Sequence, residues 1–467
     1  MHSNPQNHTH LSAARPSHVA SYLFAVGIIC FLTASFSSSL LGNSTGSTAP
    51  KSGDSKETLN DAPINDFFLY GDFIHTNNIQ TVLFNRKGWD LTSAIIRLHS
   101  DETLELRFDD MDADYKTYYY TIIHCDADWA PSDLNPYEYI EGFYEDVIND
   151  HARSFNTRVL YSHYYLEFPN ANMRPLKSGN YILKVFLNGN RDDVAFTRRF
   201  MVVEPLVHIE ADVNMANLIL YRDTKQQVSF TIDAANYRIA NPHQQIKVVL
   251  TQNGRWDNAI TGLPPRGIQG NRLVYDYEEE TLFEGGNEFR RFDTRSLRFL
   301  TERVADIQSS SRHWDVFLLP DQMRTNRRYS TDGDINGRFY ITNNDGRDHM
   351  LESDYAWVHF SLPMHTPLAS GSIYVLGELS NWVMHDDNRM NYNYVERKYE
   401  LSLLLKQGYY NYMYAFLEEG ESAAEFGLIE GTHSVAENDY SIFVYHRQPG
   451  TLYDRLIGVT HLNSGIR

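Results

Sequence analysis

The sequence predicts an all-β protein of tandem immunoglobulin-like β-sandwich units. Three observations carry that reading. Aromatic residues make up 13% of the chain, with 31 Tyr and 25 Phe, and aromatic side chains suit a half-buried pleated surface. Short strand signals recur from residue 67 onward with turn residues between them. No long amphipathic helix with caps interrupts them, and no repeat at a fixed period of 20–50 residues points to a solenoid or propeller. A length of 467 residues suggests about three domains at roughly 150 residues each.

The elements follow in order. Residues 19–32 (VASYLFAVGIICFL) are apolar, follow Arg15 and precede small residues. The run is shorter than the roughly 20 apolar residues of a membrane span, so residues 1–34 read as a cleaved signal peptide. Cys30 follows Ile29, where a lipoprotein signal requires a small residue. Residues 35–66 are rich in Ser, Thr and Gly and read as a disordered linker. The first sandwich is expected over 67–205. Its strand signals are 94–98, 103–108, 117–123, 181–187 and 196–203. In 103–108, Leu104, Leu106 and Phe108 alternate with Thr103, Glu105 and Arg107, the period-two pattern of a strand with one wet face. Pro205 and the fresh alternation Val207, Ile209, Ala211 mark a boundary. A second β-rich domain is expected over 206–362, with strands at 227–232, 246–251, 273–277, 314–319, 338–342 and 355–362, and loops at 260–272 and 321–337. A third domain is expected over 363–467, with strands at 372–376, 399–405, 409–416 and 440–446. A short helix is placed near 132–150.

Composition narrows the function classes. The formal net charge is −19, from 41 basic and 60 acidic residues. No general basic excess exists to neutralise phosphates, so nucleic acid is not an expected partner; a local basic patch is still compatible with this total. Only Cys30 and Cys125 occur. With Cys30 in the leader, the mature chain has no intrachain disulfide and no Cys-rich zinc site. No second apolar run of spanning length follows the leader, so no membrane span is expected in the mature chain.

Motifs add little chemistry. Residues 332–337 (DGDING) match the first half of a calcium-binding EF-hand loop, but Asn343 stands where its bidentate Glu belongs; a turn is the simpler reading. The run Asp109, Asp110, Asp112, Asp114 reads as a solvated loop. Cys125 lies between His124 and Asp126, but neighbours on a strand point to opposite faces, so it reads as a buried small hydrophobe. There is no HExxH, no phosphate-cradling GxxxxGK[ST] and no GxSxG elbow. No catalytic residue, metal site or cofactor site is assigned. Residues 373–382 (IYVLGELSNW) and 405–416 (LKQGYYNYMYAF) resemble the early-set immunoglobulin-like domains that include glycogen- and starch-binding modules. Trp382 is therefore a candidate sugar-stacking residue, against the simpler reading that it packs the end of its sandwich.

Longer strings carry a second resemblance. Residues 118–134 (YYYTIIHCDADWAPSDL), 168–185 (FPNANMRPLKSGNYILKV), 200–205 (FMVVEP), 248–265 (VVLTQNGRWDNAITGLPP), 283–299 (FEGGNEFRRFDTRSLRF) and 453–459 (YDRLIGV) resemble the type IX secretion system plug protein family of Bacteroidota. The resemblance implies a non-enzymatic, exported periplasmic protein. Its implied partner is the large outer-membrane β-barrel translocon, whose periplasmic mouth it seals. Within the matching strings, Asp126, Asp128, Trp129, Asn172, Arg174, Arg255, Trp256 and Asp257 are candidate partner contacts, each weighed against a role in turns and packing. The alternative reading is a periplasmic carbohydrate-binding or polysaccharide-active protein using the early-set-like domain.

Overall fold

Alternating apolar residues need a second layer, and each sheet of this protein finds one. The computed structural model describes residues 70–421 and 423–465; the expected signal peptide over 1–34, Cys30 and the linker expected over 35–66 lie outside them. The regular structure of the described residues is nearly all strand, as expected. In the N-terminal sandwich, one sheet runs Phe73–Ile74, Val194–Val203, Gly179–Leu187, Tyr118–Cys125, Asp146–Val147, with Ile95–Arg97 parallel to Val194–Val203. The facing sheet runs Ile79–Arg86, Leu104–Asp110, Ser162–Phe168, Asp150–Arg153. Leu104, Leu106, Phe108, Tyr118, Tyr120, Tyr181 and Phe196 fill the space between them. The expected helix near 132–150 is one turn, Pro136–Tyr139. Past it, Ile140–Gly142 pairs with Met173–Pro175.

The boundary expected near Pro363 does not separate the sheets. Ile246–Gln252 pairs along its length with Asp439–His446, and Asp439–His446 pairs with Arg455–Asn463. The middle sandwich is therefore discontinuous. One of its sheets joins His208–Met215, Lys225–Asp233, Arg272–Tyr275, Gly267–Gln269 and Leu282–Glu284; the other joins Arg255–Thr261, Ile246–Gln252, Asp439–His446 and Arg455–Asn463. The core between them draws on both stretches of chain, with Val228, Phe230 and Leu250 beside Ile442, Val444 and Ile457.

The third sandwich is inserted into the second. Its sheets are Arg290–Asp293, Gly408–Leu417, Phe339–Ile341 and Ser372–Leu376, and Val304–Ser309, Trp314–Leu318, Tyr355–Pro363, Lys398–Lys406 and Asn391–Asn393. The chain enters and leaves at adjacent points: the His433 N–H donates to the Gly286 carbonyl at 2.8 Å. The physical reason is edge satisfaction. Ile246–Gln252 carries apolar residues on a strand that needs neighbours on both edges, and the C-terminal hairpin supplies one of them. Residues 321–337 form a loop as expected, whereas Gly267–Gln269 is a strand inside the other expected loop.

Candidate functional site

The strings singled out in the sequence converge on the junctions between sandwiches. At the first junction, Asp126 and Asp454 exchange backbone hydrogen bonds: the Ala127 N–H donates to Asp454 at 3.1 Å and the Asp454 N–H to Asp126 at 3.0 Å. Arg447 bridges both carboxylates, and Lys247 reaches Asp454 at 2.8 Å. Beside them, Trp129 is buried edge-on against Trp256, with ring centres 5.0 Å apart. Trp256 stacks on Phe443, and the Arg199 guanidinium sits 4.4 Å from the Trp129 ring. Cys125 is buried in the same cluster, and burial pushes its thiol up to about 12. A thiol held that far from ionisation is a packing residue.

At the second junction, Arg255 pairs with Asp257 at 3.0 Å and lies 4.4 Å from the Phe426 ring and 5.6 Å from the Trp382 ring. Trp382 is half-buried and edge-on to Phe289 at 5.9 Å. Gly337, at φ +79°, lies under the Trp382 and Phe289 rings, where a Cβ would come within 2.6 Å of both. The simpler reading of Trp382, a residue packing the end of its sandwich, matches this arrangement.

A third junction was not anticipated. The supposedly wet face of Leu104–Asp110 is covered, with Glu105, Arg107 and Asp109 all buried. Lys406 of the inserted sandwich meets Asp109 at 2.6 Å, and both side chains are 1% exposed. The Tyr355 hydroxyl donates to Asp109 at 2.7 Å, and His163 Nδ1 lies 2.6 Å from the other carboxylate oxygen. Burial alone would raise the Asp109 pKa; the Lys406 ammonium and the His163 ring outweigh it and hold the carboxyl below its usual range. Asp110 is buried too, accepting from Asn78 at 2.7 Å and the Tyr118 hydroxyl at 2.9 Å. The solvated-loop reading of the acidic run therefore holds only for Asp112 and Asp114. In the calcium-like run, Asp334 accepts from the N–H groups of Phe289 and Asn336. That is turn chemistry, and no group of three or more candidate ligands occurs among the described residues.

The remaining candidates are at the surface. Asp128 and Asp257 are exposed. Asn172 and Arg174 are exposed, just before and within the short strand Met173–Pro175; Asn172 donates to Asp146 at 2.9 Å and Arg174 to the Asn170 carbonyl at 3.1 Å. The Asn172 carbonyl accepts from the Phe143 N–H at 2.7 Å. That bond sets Asn172 beside Phe143 and its neighbour Tyr144, exposed at 62% and 46%; Tyr137, exposed at 65%, lies on the one-turn helix just before them. Sequence reasoning missed this patch because the aromatic run 137–144 was assigned to a helix. Its signal was density: four rings in eight residues, too many for one helical face.

The first-domain model of the type 9 secretion system plug protein matches residues 79–204. A hypothetical protein from Parabacteroides merdae, solved by crystallography, is 38% identical; the match covers 84% of this chain and 99% of that one, with a TM-score of 0.81. This chain belongs to the type 9 secretion system plug family. No curated protein matches it. A crystal structure from Corynebacterium diphtheriae, described as membrane anchored, aligns at 9% identity and a TM-score of 0.12 and carries no argument. The plug-family model ends within the first sandwich, and the Parabacteroides chain extends the likeness over the other two. No helix among the described residues is long and apolar enough to cross a membrane.

Proposed function

We propose that the protein is a non-enzymatic plug that binds and seals the periplasmic end of the outer-membrane type IX translocon barrel. Family membership is the observation that carries this reading. The construction of the molecule agrees with it. Three sandwiches locked through buried ion pairs and stacked rings make a stiff body, and a stopper for a wide pore needs stiffness. The leader read over residues 1–34 would deliver the chain to the periplasm.

The contact surface we propose includes the exposed Tyr137, Phe143 and Tyr144 with Asn172 and Arg174, and the exposed Asp128 and Asp257. Aromatic rings and Arg are enriched at interface cores because they provide large contact area at small entropic cost. Asp126, Trp129, Arg255 and Trp256 act one step back, holding the sandwiches that present this face. The test is affinity purification of the tagged chain from its native host in mild detergent. Recovery of a very large outer-membrane barrel in near-equal amount is expected, and loss of that partner in a Tyr137→Ser/Phe143→Ser variant. Recovery of the chain alone, with other translocon contacts intact, would refute the barrel as its partner.

A further inference from the structure

An arginine-lined cleft opens on the inserted sandwich, away from the aromatic patch and unused by any junction described above. Its volume is about 410 Å³. Five arginines line it, Arg290, Arg291, Arg303, Arg324 and Arg327, against three carboxylates. In a chain of net charge −19 this is a local reversal of sign, and a concave positive site concentrates anions.

The arginines divide into two groups. Arg290 is structural: it donates to Glu430 and to Asp321, each at 2.9 Å, and to the Gln322 carbonyl at 2.7 Å. Arg291 is likewise occupied by Glu302 and Asp332, both at 2.7 Å. The other three keep donors in reserve. Arg303 uses only Nη2, on Asp321 and the Leu319 carbonyl. Arg327 uses only Nη2, on Gln322. Arg324 meets the Glu430 carboxylate through Nε at 2.7 Å and Nη2 at 2.6 Å, which leaves its Nη1. Asp321 draws Arg290 and Arg303 onto one carboxylate oxygen, at 2.9 Å each. Glu430 likewise holds Arg290 and Arg324. The carboxylates thus gather the guanidinium groups without saturating them.

We propose that this cleft binds a tetrahedral oxyanion of the phosphate class, held by Arg303, Arg324 and Arg327. Guanidinium groups match phosphate oxygens through paired, charge-assisted hydrogen bonds. Three partly free arginines suit an ion with three or more accessible oxygens better than a two-oxygen carboxylate. The cleft is larger than the bare ion, so the phosphate is either free or the headgroup of a lipid.

The test is thermal unfolding of the full mature chain with inorganic phosphate, at ionic strength held constant with chloride. A saturable rise in Tm by about 10 mM phosphate is expected. The Arg303→Gln/Arg327→Gln variant should fold but lose at least about tenfold in apparent affinity. Arg328→Gln, an exposed neighbour outside the cleft, should keep the full response. Flotation on phosphatidylglycerol vesicles, against phosphatidylcholine, then separates the sources: cleft-dependent flotation assigns a lipid headgroup, and its absence beside a saturable phosphate response assigns the free ion. No saturable shift in the parent, or an undiminished shift in the double variant, would overturn the proposal.

Discussion

Asp109 and Lys406 lie about 300 residues apart in sequence and 2.6 Å apart in space. A buried pair of this kind adds little net stability, but removing one partner typically costs about 3–5 kcal/mol because the other charge stays buried alone. Its effect is positional: any other seating of the two sandwiches would strand a charge. Asp334 behaves differently. Burial first, with the neighbouring Glu288 and Glu437 carboxylates adding to it, raises its pKa to about 7 despite two backbone hydrogen bonds. The folded state thus holds a proton that the unfolded chain, near 3.8, has released. This contribution is fully present below pH 4 and is lost as pH rises from about 4 to about 7. Asp334→Asn should equal the parent in urea midpoint near pH 4 and exceed it at pH 8. The comparison must be variant against parent, because His124, buried and lowered to about 4, imposes the opposite slope between pH 4 and 6.5. Equal midpoints at pH 8 would show that Asp334 is ionised without cost.

At the scale of elements, Leu104–Asp110 shows how far alternation can be read. Leu104, Leu106 and Phe108 face the sandwich core as their spacing predicts. The polar partners looked solvent-facing because nothing local distinguishes water from a polar protein surface. Lys406 and Tyr355, which cover Asp109, lie far along the chain. The same limit applies to the hairpin carrying Trp256. Its Arg-Trp-Asp string was visible, but its placement against Trp129 depends on two sheets meeting. Edge-on aromatic pairs add about 0.5–1.5 kcal/mol beyond the area they bury. A double-mutant cycle with Trp129→Leu and Trp256→Leu should return a coupling of about that size by urea unfolding. Coupling near zero would mean that the edge-on ring pair itself adds nothing to holding the two sandwiches.

For the whole molecule, nesting is the decisive feature. The inserted sandwich leaves and rejoins the middle one at neighbouring points, so the middle sandwich closes only after the last strands are made. A chain ending at residue 362 would lack Asp439–His446 and Arg455–Asn463 from the middle sandwich, and Lys398–Lys406 and Gly408–Leu417 from the inserted one. Such a fragment should be insoluble, or rapidly digested beyond about residue 205 while the first sandwich resists. A soluble fragment with one cooperative unfolding transition and a protected middle region would contradict the nesting.

Local physics wrote much of this protein into its sequence. Period-two alternation and turn residues located about half of the strands, because each strand's two faces and its ends are properties of a few consecutive residues. The family strings marked the segments that meet at the junctions, since Asp126, Trp129, Trp256 and Asp454 all lie within them. Only the tertiary structure decided which strands share a sheet, and so where one sandwich ends and the next begins. Pairing depends on hydrogen bonds between segments such as Ile246–Gln252 and Asp439–His446, almost 200 residues apart, and nothing in either segment names its partner. The cleft arose in the same way. Arg290 and Arg291 are neighbours in the chain, but Arg303, just ahead of Val304–Ser309, and Arg324 and Arg327, on the loop 321–337, join them only in the folded molecule, and charge convergence of that kind exists only in three dimensions.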